Sequence, residues 1–265
     1  MDSALVQVNP LKQRQELKYF KNGMILMKAV ILQPTYLPWM GYFGMIDTAD
    51  IFVFYDDVQY VKKSWQQRNR IKIQGTAKWL TVPVTHKHQP KINEVKINNL
   101  KKWTKNWSYK HWRSIDYSYS KAPFFEDYSS EIKEIYCKEW QSLCDMNIYI
   151  IKELSRHLKI HEPKFIKSSA IEGIEGVKTG RLLNILKEIG ADELLANPGA
   201  KAYIEKDKFE DENIKLYWFE FKHPSYPQLG EEFIPYLSVI DLLFNTGKKA
   251  KDYIRWGLEG SLVES

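Results

Sequence analysis

Between residues 33 and 72 the chain reads QPTYLPWMGYFGMIDTADIFVFYDDVQYVKKSWQQRNRIK, and most side chains able to do chemistry are gathered there. Asp56 and Asp57 are adjacent carboxylates directly after an apolar run, followed by Gln59 and Tyr60. Such a pair can act as general base toward an attacking amine, or hold a divalent cation. Adjacent strand residues face opposite ways, so both carboxylates cannot enter a core. The structural alternative is that one of them initiates a turn or caps a helix. Tyr36, Trp39 and Tyr42 are spaced to form an aromatic wall, and Gly41 permits close backbone approach at a helix start. Ser64, Trp65, Arg68, Asn69 and Lys72 add donors for phosphate or carboxylate, which an arginine binds bidentately.

Of the six histidines, His111 is best suited to acid–base work. It lies between Lys110 and Trp112, and an imidazole titrates near neutral pH; a buried, structural ring is the plain alternative. His223 opens the turn HPSYPQ, where Tyr226 and Gln228 would complete a pocket. His86 and His88 share a polar loop with no third ligand beside them, so no metal site is expected. Asp241 follows Ser238 at S-x-x-D spacing, which predicts a helix cap. Neither a P-loop nor a GxGxxG loop occurs, and serine and cysteine nucleophile signatures are missing, so no cofactor is named.

The elements that must position these residues follow from pattern. Lys28 to Gln33 (KAVILQ) and Ile51 to Tyr55 (IFVFY) are short apolar runs that predict buried strands. Pro34 and Pro38 bracket a turn between them, and Pro38 can open a helix that runs to Ala49. Strand, helix, strand in so short a span predicts a parallel βαβ start, with chemistry at the carboxyl ends of its strands. Strands are further expected at Lys78–Val84, Glu94–Asn98, Lys164–Ser168, Glu193–Ala196 and Ile214–Phe221. Helices are expected at Trp103–Tyr119, from Pro123 to Leu158 with a break around Asp145 to Asn147, at Val177–Ile189, and at Ser238–Asn245 with Gly247 after it. Cys137 and Cys144 would then share one helix face as small hydrophobes, too far apart for a disulfide. The sum is an α/β fold: a Rossmann-like, mostly parallel sheet flanked by helices, in one domain from residue 27 to 265. A helical insertion spans about 101–160, and residues 1–26 form an extension.

The strings QPTYLPWMGYF, DIFVFYDDVQY, SWQQRNRIK and WLTVPV closely resemble the opening half of WbqC-like proteins. GVKTGRLLNILKEIGADELLANPGAKAYI and FKHPSYPQLGEEFIPYLSVIDLLFNTG resemble their closing blocks. The resemblance implies a transferase in O-antigen or surface-polysaccharide biosynthesis. Its substrate would be a nucleotide-linked amino sugar receiving an aminoacyl, glycyl or similar acyl group, with aminoacyl-tRNA as a possible donor. Trp39-Met40-Gly41-Tyr42 also stands where nucleotidyltransferases carry HxGH, with aromatics in place of both histidines. That position implies a nucleotidyltransferase-like alternative, though an aromatic ring cannot donate charged hydrogen bonds to a phosphoryl transition state. A non-catalytic partner binding nucleotide sugar or RNA is the third reading.

Composition suits each of these. The formal charge of +6 favours a polyanionic partner. No stretch approaches the roughly 20 apolar residues that cross a bilayer. No apolar leader precedes a cleavage site, and two cysteines fit a reducing cytoplasm.

Overall fold

The computed structural model of the chain describes residues 20–21, 24–86, 88–99 and 106–264. A small antiparallel ribbon of β1 (Phe20–Lys21) and β2 (Met24–Ile25) precedes the main sheet. The chain then enters β3 (Lys28–Leu32), crosses through helix α1 (Met40–Thr48) and returns in parallel as β4 (Ile51–Phe54). The expected βαβ start is therefore present. Every residue of β4 is buried, as a continuous apolar run requires of a parallel strand covered on both faces.

A long insertion follows β4. It begins with the hairpin of β5 (Arg68–Ile73) and β6 (Thr76–Thr81). The two residues between these strands, Gln74 and Gly75, both have positive φ, the geometry of a type I′ turn. β7 (Val84–Thr85) and β8 (Lys96–Ile97) pair next. Helices α2 (Trp107–Tyr119), α3 (Phe125–Cys137) and α4 (Leu143–Leu158) complete the insertion.

The return to the sheet is by β9 (Lys164–Lys167), then α5 (Lys178–Glu188), β10 (Glu193–Ala196), α6 (Asp207–Asp211) and β11 (Lys215–Phe219). Helices α7 (Val239–Thr246) and α8 (Ala250–Trp256) precede the edge strand β12 (Leu262–Glu264). The sheet order is β12-β11-β10-β3-β4-β9, with only β12 antiparallel to its neighbour. Numbered along the chain, the five parallel strands lie third, second, first, fourth, fifth across the sheet. That is the doubly wound order in which ligands bind outside the carboxyl ends of the strands.

Strand alternation sorts the core onto two faces. Ala29, Ile51, Val53, Leu194, Ala196 and Leu216 face α5 and α6. Val30, Phe52, Phe54, Leu195 and Phe219 face α1, the insertion, α7 and α8. Among the described residues, no helix is long and apolar enough to cross a membrane.

Several expectations need correction. The long helix breaks at 138–142, not at Asp145 to Asn147, and Asn147 sits buried inside α4. Ser142 explains the position: its hydroxyl accepts from Asp145 N at 3.2 Å and so caps a new helix. Segment 138–142 is also held by β8, where Ile97 N donates to Gln141 O at 2.9 Å. Cys137 and Cys144 consequently belong to different helices, one exposed and one buried. Residues 68–73 form a strand that sequence patterning did not predict, and the strand expected at Lys78–Val84 is shifted to Thr76–Thr81. Trp103, Lys101, Lys102 and Lys105, at the expected start of the basic helix, lie outside the described residues.

Candidate functional site

The register of the sheet brings the ends of three strands level. Leu32 lies opposite Phe54, and Phe54 opposite Lys167. The residues that follow, Gln33, Tyr55 to Asp57, and Ser168, therefore emerge along one rim. Asp56 is buried there, and its oxygens are occupied. Ser169 donates from its backbone at 3.0 Å and from its hydroxyl at 2.7 Å. Ser168 Oγ accepts from Asp56 N at 3.2 Å. Asp56 thus latches β4 to the turn after β9.

Asp57 is more open. Ser168 Oγ lies 2.6 Å from Asp57 Oδ1 and 3.1 Å from Asp56 Oδ1. A hydroxyl has one proton to give, and the shorter contact assigns it to Asp57. The other Asp57 oxygen pairs with the Arg181 guanidinium. Arg181 also donates to Ile174 O at 3.2 Å, and its carbon lies 5.8 Å from the Tyr55 ring centre. Burial raises the Tyr55 hydroxyl pKa, with Arg181 acting against it. The Arg181 Nε is buried without a partner.

Arg181 comes from the first turn of α5, which reads Lys178-Thr179-Gly180-Arg181. That turn has no acidic residue and no side-chain cap. A helix start with two cations and no acidic residue favours an anion at the rim. The rim thus sets the Asp57 carboxylate, held by Ser168 and Arg181, beside a cationic helix start. Among the described residues, no group of three or more His, Cys, Asp or Glu side chains could hold a metal ion. Ser168, Ser169, Tyr55 and Arg181 escaped sequence reading. The GVKTGR string at a helix start was the available signal for Arg181.

Gln33 is anchored beside this rim. Its side-chain oxygen accepts from Gln66 Nε2 at 2.8 Å, and its carbonyl from the Tyr42 hydroxyl at 3.1 Å. Asn147 Nδ2 donates to Pro34 O at 3.2 Å and to Gln66 O at 2.7 Å. The Tyr36 hydroxyl lies 2.9 Å from His111 Nδ1 and 2.7 Å from the Tyr136 hydroxyl. Burial pushes the His111 imidazole down to about 4. Tyr36, Tyr42 and His111 are all buried. They hold the segments around the rim rather than lining an open wall. Tyr60 is buried, its hydroxyl bonded to Gln67, while Gln59 is exposed in a bridge to Lys91.

Trp39 folds over Gly41, so the close approach expected at Gly41 is made by the indole. The indole lies parallel to His223 with centroids 6.2 Å apart and meets Tyr236 at 5.4 Å. His223 Nδ1 donates to Pro224 O at 2.9 Å, because its Nε2 accepts from Tyr236 N at 3.1 Å.

Lys72, Tyr226 and Gln228 form a separate buried knot. Lys72 Nζ donates to Gln228 Oε1 at 3.4 Å and to Glu232 O. At its centre Asp241 accepts from the hydroxyls of Tyr119 at 2.8 Å and Tyr226 at 2.9 Å. Burial raises the Asp241 carboxyl to about 6, against those two hydrogen bonds. The capping role expected of Asp241 is therefore corrected: Ser238 makes no side-chain cap, and the carboxylate is spent on the tyrosines. Asn69 is buried with its amide on Leu37 O at 2.6 Å, while Trp65 and Arg68 stand on the outer face of the β5–β6 ribbon.

A cavity of about 660 Å³ lies between the start of α2 and the end of α3, lined by Trp107, Arg113 and Tyr136 among others. A second, of about 250 Å³, lies between α5 and α6. Neither contains Asp57.

An α/β sheet of this order, with its polar constellation at the strand carboxyl ends, defines the class of protein. The sequence comparison is more specific: the model of the WbqC-like protein family matches residues 33–253, and the chain belongs to that family. The "uncharacterized protein Rv1507c" of Mycobacterium tuberculosis (strain ATCC 25618 / H37Rv) is 36% identical over 236 residues, covering 87% of this chain and 99% of the relative. No solved structure matches.

Proposed function

We propose that the protein is a transferase that passes an aminoacyl or similar acyl group to the amine of a nucleotide-linked amino sugar, for O-antigen or related surface-polysaccharide assembly. The observation that carries this reading is Asp57 beside Arg181 and Ser168, at the carboxyl ends of parallel strands. Acyl transfer to an amine forms a C–N bond at the carbonyl carbon. The amine gives up a proton, and the donor's leaving group departs with its bonding electron pair. In this reading Asp57 takes that proton. Arg181, Lys178 and the positive start of α5 hold phosphate oxygens of the nucleotide. Asp56 and His111 act as positioning residues, since both are buried in hydrogen-bonded networks.

The test is transfer of a labelled aminoacyl group to a uridine diphosphate-linked amino sugar, with Asp57→Asn as the comparison. General-base loss predicts about a hundredfold to ten-thousandfold drop in kcat for the variant, with its melting temperature near that of the parent. Wild-type turnover by a folded Asp57→Asn protein would remove Asp57 from the mechanism.

A further inference from the structure

One face of the β5–β6 ribbon is not used by the proposed transfer. Trp65 and Trp79 are 49% and 44% exposed, with ring centroids 5.2 Å apart. The Arg68 guanidinium lies 4.1 Å from the Trp79 ring centre. That of Arg70 lies 5.9 Å from Trp65 and 5.7 Å from Trp79. Pairing places Trp79 opposite Arg70, and alternation puts Arg68 on the same side.

These cations are not committed to internal ion pairs. Among the described residues, no carboxylate makes a salt bridge to Arg68 or Arg70. Among the described residues, Arg70 donates to a carbonyl, Tyr236 O at 3.3 Å, and the Nε of each guanidinium is buried without a partner, so a ligand would meet the terminal nitrogens. Lys62 and Lys63 are exposed in the turn just before Trp65, adding charge of the same sign.

A complementary ligand must offer flat π faces to the indoles and anionic oxygens to the guanidiniums. Nucleobases joined by phosphates offer both. Arg68 and Arg70 are two residues apart on one strand, roughly 7 Å along it. Two rings and two cations in register suit a repeating polyanion better than a single nucleotide. A neutral glycan would stack on the indoles but leave the guanidiniums unanswered.

We propose that this face binds a single-stranded nucleic acid segment, with bases stacked on Trp65 and Trp79 and phosphates on Arg68 and Arg70. The proposal does not depend on the acyl-transfer reading or on Asp57.

Fluorescence anisotropy of a short, labelled oligouridylate with the full chain tests it. Oligothymidylate of equal length, uridine monophosphate and a neutral oligosaccharide serve as the other arms. The strand should bind at low salt and weaken as salt rises. Trp79→Ala should weaken it about fivefold to a hundredfold, and Trp79→Phe should retain most of the affinity. Arg68→Ala with Arg70→Ala should reduce the salt slope by about two. Melting temperatures confirm that each variant is folded. Binding of both strands supports stacking with phosphate contact, and a preference for oligouridylate adds a 2′-hydroxyl contact. No strand binding, equal affinity for the mononucleotide or the neutral oligosaccharide, or a folded Trp79→Ala protein with unchanged affinity would each overturn the proposal.

Discussion

Asp241 sits between the hydroxyls of Tyr119 and Tyr226, and burial lifts its carboxyl from 3.8 to about 6. His111 sits against Tyr36, and burial lowers its imidazole from 6.5 to about 4. These shifts act oppositely on stability across the same pH window. For Asp241 the folded state binds its proton more tightly, so its contribution is full below 3.8 and is lost as pH rises through about 6. For His111 the unfolded state binds the proton more tightly, so its contribution is full above 6.5 and is lost as pH falls through about 4. Each is worth on the order of 3 kcal/mol at its full extent. The intact protein therefore shows partial cancellation, and single variants separate the two. Urea denaturation between pH 4 and 6 should show that Asp241→Asn becomes progressively more stable relative to the parent as pH rises. A difference that stays constant across that range would mean that Asp241 does not titrate there. None of this was legible in the sequence: S-x-x-D has the spacing of a cap, and only the tertiary fold turns the carboxylate toward a tyrosine 122 residues away.

At the scale of elements, legibility follows burial. β3 and β4 were predicted because each is a short apolar run, and β10 was read to its exact ends, Glu193–Ala196. β5 was missed because Arg68-Asn69-Arg70-Ile71-Lys72-Ile73 alternates on a ribbon whose outer face is cationic. The α3–α4 boundary was misplaced because apolar periodicity runs on through Cys144, while the cap at Ser142 carries no Glu or Gln at its third position. Gly41 was legible as a glycine that matters, but its reason lay in packing. A Cβ there would stand 2.2 Å from the Trp39 ring. Gly41→Ala should therefore push the indole off His223 and cost about 1–3 kcal/mol. A urea midpoint equal to that of the parent would show that the indole has room to spare.

Across the whole molecule, the strand order does what no local motif does. It carries the ends of β3, β4 and β9 to one rim, and α5 brings Arg181 to Asp57 across 124 residues of sequence. The sequence pointed to Asp57 and Gln33 because both directly follow apolar strands. Ser168 was invisible, and Arg181 was marked only by GVKTGR at a helix start, because their meaning depends on strands that become neighbours only in the sheet. The buried tyrosines hold the neighbouring turns: the Tyr42 hydroxyl donates to Gln33 O, and Tyr36 N donates to Trp65 O. The most direct measurement is hydrogen exchange with and without a uridine diphosphate-linked amino sugar. Slowed exchange is predicted at residues 56–58, 168–170 and the first turn of α5. Protection confined instead to the cavity between α2 and α3, with those amides unchanged, would contradict a ligand site at the sheet's carboxyl rim.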